Sequence, residues 1–168
     1  MEIMVWPPGT LSWNGRQVRC AIGLGGIRKD KNEGDGATPA GRFPLRRVFY
    51  RADRLAAPET GLSVRVLTPN DGWCDDPDDP AYNRLIALPF AAGHETLWRE
   101  DRLYDVIVEM GYNDDPVAPG RGSAIFMHVA QPGYDPTQGC IALELEALLD
   151  LLKGCGEGSV VTVGLEAP

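Results

Sequence analysis

Ala124-Ile125-Phe126-Met127-His128-Val129-Ala130, followed after a short loop by Thr137-Gln138-Gly139-Cys140-Ile141-Ala142-Leu143, is the stretch on which the reading of this chain turns. Its first half is apolar at nearly every position. That pattern predicts a central strand over 123–130, covered on both faces, and near its end stands one of only two histidines. The second half bends at Gly139 and presents one of four cysteines. Ile141, Leu145, Leu148, Leu149 and Leu152 then recur at helical spacing, which predicts a helix over 141–153 with Gly154 as its stop.

Around this stretch the chain reads as short strands separated by turns. Leu11–Trp13 and Arg16–Ile22 flank Asn14-Gly15, a two-residue hairpin signal. Val18, Cys20 and Ile22 share one face, which places Cys20 in the core as a small apolar side chain. Further strands are predicted at 2–6, 42–50, 62–68, 103–110 and 159–165, and a short helix over 94–99. The 20 glycines and 14 prolines, about a fifth of the 168 residues, suit a mainly β architecture. Length and the lack of any linker or repeat predict a single domain over 1–168.

Composition narrows the partners. The formal charge is −8, so phosphate backbones and anionic lipid heads are repelled, and neither nucleic acid nor a membrane surface is expected. Arg42, Arg46, Arg47 and Arg51 cluster, and read best as a solvated strand face. No apolar run approaches the ~18 residues that span a bilayer, and the first residues lack a signal-peptide pattern. Cys20, Cys74, Cys140 and Cys155 contain no CxxC and suggest no disulfide framework. Gly23–Gly36 is a glycine-rich loop without a P-loop continuation. Asp71–Arg84 reads as a long polar loop carrying Asp71, Asp75, Asp76, Asp78 and Asp79. Its prolines break EF-hand spacing, so calcium is disfavoured. A solvated acidic loop is the simpler reading. A wall attracting a cationic substrate group is the functional one.

The chemistry is concentrated at His128 and Cys140. A cysteine attacks as thiolate, yet a free thiol is only a few per cent ionised at neutral pH. Two devices would raise that fraction: His128 as proton acceptor in a thiolate–imidazolium pair, and the N–H groups at the start of a helix beginning beside Cys140. Gly139 lets the backbone bend and a carbonyl approach, with the N–H groups of Gly139 and Cys140 as oxyanion donors. The Val129 carbonyl is a candidate acceptor for the His128 Nδ1 proton. From the residues alone, thiol catalysis and an inert structural cysteine both remain open. A metal site is the weakest reading because too few ligands are on offer. His94 reads as surface or structural.

The pattern resembles the L,D-transpeptidase catalytic domain family of bacterial peptidoglycan metabolism. The carriers are Phe126-Met127-His128, Thr137-Gln138-Gly139-Cys140-Ile141 and, upstream, Thr38-Pro39-Ala40-Gly41-Arg42-Phe43, spanning about residues 34–145. Val129 stands where the family usually has Gly or Ser, and Ala142 where it usually has an arginine that helps hold the donor stem. Arg121 and Arg84 are candidate replacements, with Asp75, Asp76 and Tyr112 as further candidate substrate contacts. The resemblance implies a mainly β barrel or sandwich with one main helix after the nucleophile. It also implies a cysteine acyltransferase and a location in the periplasm or cell wall, with the cytoplasm as the alternative given the absent signal-peptide pattern; no cofactor or metal is expected. Cys140 would attack a stem peptide with His128 as base, forming a thioester and releasing D-Ala. Two rival readings keep the same residues: an L,D-carboxypeptidase with water as acceptor, and a wall-peptide-binding module that does no chemistry.

Overall fold

A computed structural model describes residues 1–168. Along the chain the elements are β1 (Glu2–Trp6), β2 (Thr10–Trp13), β3 (Arg16–Arg19), β4 (Ile27–Arg28), β5 (Thr38–Pro39), β6 (Gly41–Tyr50), β7 (Ser63–Val66), β8 (Asp71–Cys74), β9 (Leu85–Ala87), β10 (His94–Thr96), β11 (Val106–Met110), β12 (Phe126–Val129), β13 (Ile141–Leu143), α1 (Leu145–Lys153) and β14 (Val160–Val163). With fourteen strands and one helix the protein is mainly β, as the density of turn residues predicts.

Nine strands form one sheet in the order β13-β12-β11-β6-β14-β1-β2-β3, with β7 paired to the far half of β6. The chain just after β3 then reaches the opposite edge. Ala21 and Ala142 exchange both backbone hydrogen bonds, at 2.8 and 2.9 Å. This bridge brings the sheet close to a closed barrel, and closure spares edge strands their unpaired backbone groups. The Asn14-Gly15 turn adopts positive φ at both residues (46° and 77°) and joins β2 to β3. Positive φ at both central residues is the two-residue hairpin geometry that matches strand twist.

Side-chain alternation splits the interior in two. Ile3, Val5, Leu11, Val48, Val106, Val108, Met127, Ile141 and Leu143 fill the barrel with the helix residues Leu148, Leu151 and Leu152. Each of these buried leucines contributes about 1.5–3 kcal/mol of transfer free energy. The intervening residues Phe49, Ile107 and Phe126 point the other way. They meet Trp73, Leu97 and Tyr104 in a second, smaller cluster. A three-stranded sheet, β10-β8-β9, supplies part of that cover. β12 is therefore buried on both faces, in agreement with its uninterrupted apolar sequence. No helix is long and apolar enough to cross a membrane.

Three expectations need correction. Ile141–Leu143 is a strand, parallel to β12, and the helix begins only at Leu145 with Glu144 at its N-cap. The edge of β12 offers backbone partners that the 141–143 segment satisfies while burying all three side chains, so tertiary pairing overrides the helical spacing. The expected helix over 94–99 is absent. His94, Glu95 and Thr96 pair antiparallel with Cys74, Trp73 and Gly72. The expected 71–84 loop opens with a fully buried strand. Asp71 within it accepts from Arg65 and from the Thr68 N–H and hydroxyl, so it is a structural carboxylate.

The arginine cluster is mostly ion-paired surface. Arg42, Arg46 and Arg47 face Glu2, Asp114 and Glu109. Arg51 departs from that pattern: it is buried, stacked 3.5 Å over the Trp98 ring and paired with Asp53.

Candidate active site

His128 sits on β12 two residues beyond Phe126, on the face turned away from the barrel interior. Its neighbours in the sheet are Ile107 on β11 and Ala142 on β13. The Tyr104 ring meets the imidazole edge-on, with centroids 5.3 Å apart. His128 Nδ1 lies 2.9 Å from the Val129 carbonyl oxygen. A carbonyl can only accept, so Nδ1 carries the proton, and Nε2 is left as the basic nitrogen. Burial then holds the imidazole neutral, lowering its pKa to about 4 against the opposing pull of the Val129 bond.

Cys140 precedes β13 and is brought back to the start of β12. Its Sγ accepts from the Phe126 N–H at 3.3 Å and donates to the Ala124 carbonyl at 3.2 Å. Burial, reinforced by the Glu95 carboxylate, pushes the thiol up to about 12. The resting pair is therefore neutral thiol and neutral imidazole, not the thiolate–imidazolium pair expected from the sequence. The helix device also drops out, because α1 starts five residues beyond Cys140 and the β13 strand lies between them.

The turn itself is held by Thr137. Its hydroxyl accepts from the Gly139 N–H (3.1 Å) and donates to the Cys140 carbonyl (2.6 Å). Gly139 adopts φ +130°, and a Cβ there would lie 2.8 Å from the Ala37 carbonyl oxygen and 3.0 Å from Ile125 Cδ1. Only glycine fits such a position. Since Thr137 engages the Gly139 N–H, the backbone donors of this turn with no acceptor inside the chain are the N–H groups of Gln138 and Cys140.

His128 and Cys140 open on one cavity of about 560 Å³. Its charged walls are mainly acidic: Glu33, Asp75, Glu95 and Asp135, against Arg99 alone. Asp75 is the one of the five loop aspartates that reaches it, and burial together with Glu33 raises its pKa. His94, read as a surface or structural residue, also lines the cavity, with Nδ1 2.8 Å from the Ala92 carbonyl. Arg84, Arg121, Asp76 and Tyr112 do not line it. Arg84 and Arg121 are exposed elsewhere, and Tyr112 packs edge-on against Phe43 while its hydroxyl donates to the Arg121 carbonyl. Cys74 is sealed inside β8.

Glu95, Arg99 and Tyr104 are among the lining residues missed by the sequence reading. Glu95 accepts from the Tyr104 hydroxyl at 2.6 Å, and Arg99 lies over the Tyr104 ring while paired with Asp101. Only the β10–β8 pairing brings Glu95 to the wall, and no local spacing announces that pairing.

The L,D-transpeptidase catalytic domain (YkuD) family model matches residues 3–163, and the chain belongs to that family. Membership carries L,D-transpeptidase-type action on peptidoglycan as the general class of activity. No curated protein matches the chain.

Proposed function

We propose that this protein is a cysteine acyltransferase acting on peptidoglycan stem peptides through a thioester on Cys140. The supporting observation is the shared cavity: one wall carries a thiol, and another carries an imidazole whose only unengaged nitrogen is Nε2.

In this reading the thiol leaves its hydrogen bond to Ala124 as the stem peptide enters. His128 Nε2 takes the Sγ proton while sulfur bonds to the carbonyl carbon of the amide that precedes D-Ala. General-base assistance suits the neutral resting pair, since the imidazole is unprotonated and ready at neutral pH. The Cys140 N–H faces the negative charge that develops on the carbonyl oxygen, a contribution of about 10²–10³ in rate for one such donor. As the carbon–nitrogen bond breaks, the imidazolium returns its proton to the departing D-Ala amine. An amine of a second stem then attacks the thioester, loses a proton to His128, and releases the thiol. Water in place of that amine gives trimming instead of a cross-link.

The acidic walls suit a donor bearing a free amino group, and Asp75 and Glu95 are among the carboxylates that would meet it. Arg99, the arginine of the cavity lining, would meet a stem carboxylate; Arg84 and Arg121 are not among the lining residues. A periplasmic or cell-wall location goes with this substrate. The test is D-Ala release from a stem tetrapeptide: the wild-type protein should release it and Cys140→Ala should not. Tripeptide product would mark water as acceptor, and amine-joined product would mark transfer. Stem binding without any D-Ala release from the wild type would overturn the reading in favour of a binding module.

A further inference from the structure

We infer that Asn83 is a positioning residue for the Cys140 thiol, acting through the backbone of Ala124. Asn83 is buried and sits in left-handed backbone conformation (φ 55°), which asparagine tolerates better than most residues. Its amide uses its full capacity. Oδ1 accepts from Trp73 Nε1 at 2.9 Å and from the Ala124 N–H at 3.1 Å, while Nδ2 donates to the carbonyls of Tyr112 (3.1 Å) and Asn113 (2.8 Å). Two pure donors on one side and two pure acceptors on the other fix which way the amide points.

Ala124 is also left-handed, at φ 51°, a conformation that costs a residue with a Cβ and persists only where the surroundings impose it. Asn83 holds the N–H of Ala124, and the carbonyl of the same residue accepts the Cys140 thiol proton. Fixing one side of the residue fixes where the other side points. The thiol thus rests between an acceptor, the Ala124 carbonyl, and a donor, the Phe126 N–H. The acceptor keeps the proton on sulfur, and the donor favours its loss. If Ala124 relaxed toward negative φ, its carbonyl would swing off the sulfur and only the donor would remain.

The titratable groups around the sulfur are Glu95 from β10, Tyr104 ahead of β11, His128 from β12 and Lys31 from the 29–37 loop. None of them hydrogen-bonds to it, so the Asn83–Ala124 arrangement sets the local acceptor. The catalytic consequence, a nucleophile parked as a thiol until substrate arrives, rests on the function proposed above. The placement of the thiol does not.

The experiment follows Cys140 carbamidomethylation by iodoacetamide against pH, with the modified peptide mapped by mass. It is run on the wild type, Asn83→Ala and Asn83→Asp, with D-Ala release measured in parallel. Asn83→Ala should move the alkylation profile to lower pH, giving about tenfold faster labelling near pH 8 for each unit of displacement. Asn83→Asp keeps the acceptor for Ala124 and should not move the profile in that direction. An Asn83→Ala protein of lowered melting temperature but unchanged profile would make Asn83 merely structural and overturn the inference. Should both variants fail to fold, hydrogen exchange on the wild type decides. The Ala124 amide should be protected to the level of the β12 amides, and exchange at loop rates would overturn the inference. A wild type that labels as described yet releases no D-Ala would count against the proposed function and leave the placement of the thiol standing.

Discussion

The Nδ1 atom of His128 and the carbonyl oxygen of Val129, neighbours in sequence, lie 2.9 Å apart and lock the imidazole in one tautomer. The histidine is thereby oriented by its own strand, with no carboxylate partner behind it. Replacing it with glutamine removes the base and leaves the thiol in place. His128→Gln should lower D-Ala release by about a hundred- to ten-thousand-fold, while single-turnover labelling of Cys140 by iodoacetamide at high pH stays within a few-fold of wild type.

Burial of that imidazole also makes stability depend on pH. Its folded pKa is lowered to about 4, against about 6.5 in the unfolded chain. Between those values the unfolded state binds more protons, so stability rises with pH there. The contribution is fully present above about pH 6.5 and is lost as pH falls through about 4, to a total of roughly 3 kcal/mol. Urea unfolding at about pH 7 and about pH 4 should show a larger acid loss for wild type than for His128→Asn. Equal losses in the two proteins would contradict a buried neutral histidine.

Glu95 raises the Cys140 pKa from across the cavity, second only to burial. Glu95→Gln removes that charge and keeps an acceptor for the Tyr104 hydroxyl. Its Cys140 should alkylate at lower pH than the wild-type thiol, with the melting temperature little changed. No displacement of the profile would mean that the carboxylate is too well screened to matter.

Gly139 is a packing requirement as well as the bend of the turn. A methyl group there meets the Ala37 carbonyl oxygen and Ile125, and φ +130° is strained for any residue with a Cβ. Gly139→Ala should cost roughly 1–3 kcal/mol in urea unfolding and abolish turnover, because the turn cannot shift without moving Cys140.

Much of this was legible in the chain itself. The two-residue turn at Asn14-Gly15 and the doubly covered strand at Phe126–Val129 follow from local residue patterns, and so does the family resemblance carried by His128 and Thr137–Ile141. What local patterns could not show was pairing. Ile141–Leu143 has the spacing of a helix and is drawn into the sheet by the open edge of β12. His94-Glu95-Thr96 resembles a helix start and becomes a strand because Gly72–Cys74 lies alongside. The same long-range contacts decide which charges surround the thiol. Asp75 and Glu95 arrive together on a wall, Arg84 and Arg121 do not, and Asn83 reaches Ala124 from 41 positions away. The protonation state was misjudged for a related reason: a His and a Cys invite an ion pair on paper, whereas burial of both favours the uncharged forms.

The central claim is that the sulfur of Cys140 becomes acylated. The direct measurement is intact-protein mass spectrometry after incubation with a carbapenem, whose strained carbonyl can acylate a catalytic thiol, followed by peptide mapping. One covalent adduct on Cys140, absent from Cys140→Ser, is the predicted result. An unmodified wild-type protein, or an adduct that survives in Cys140→Ser, would contradict it.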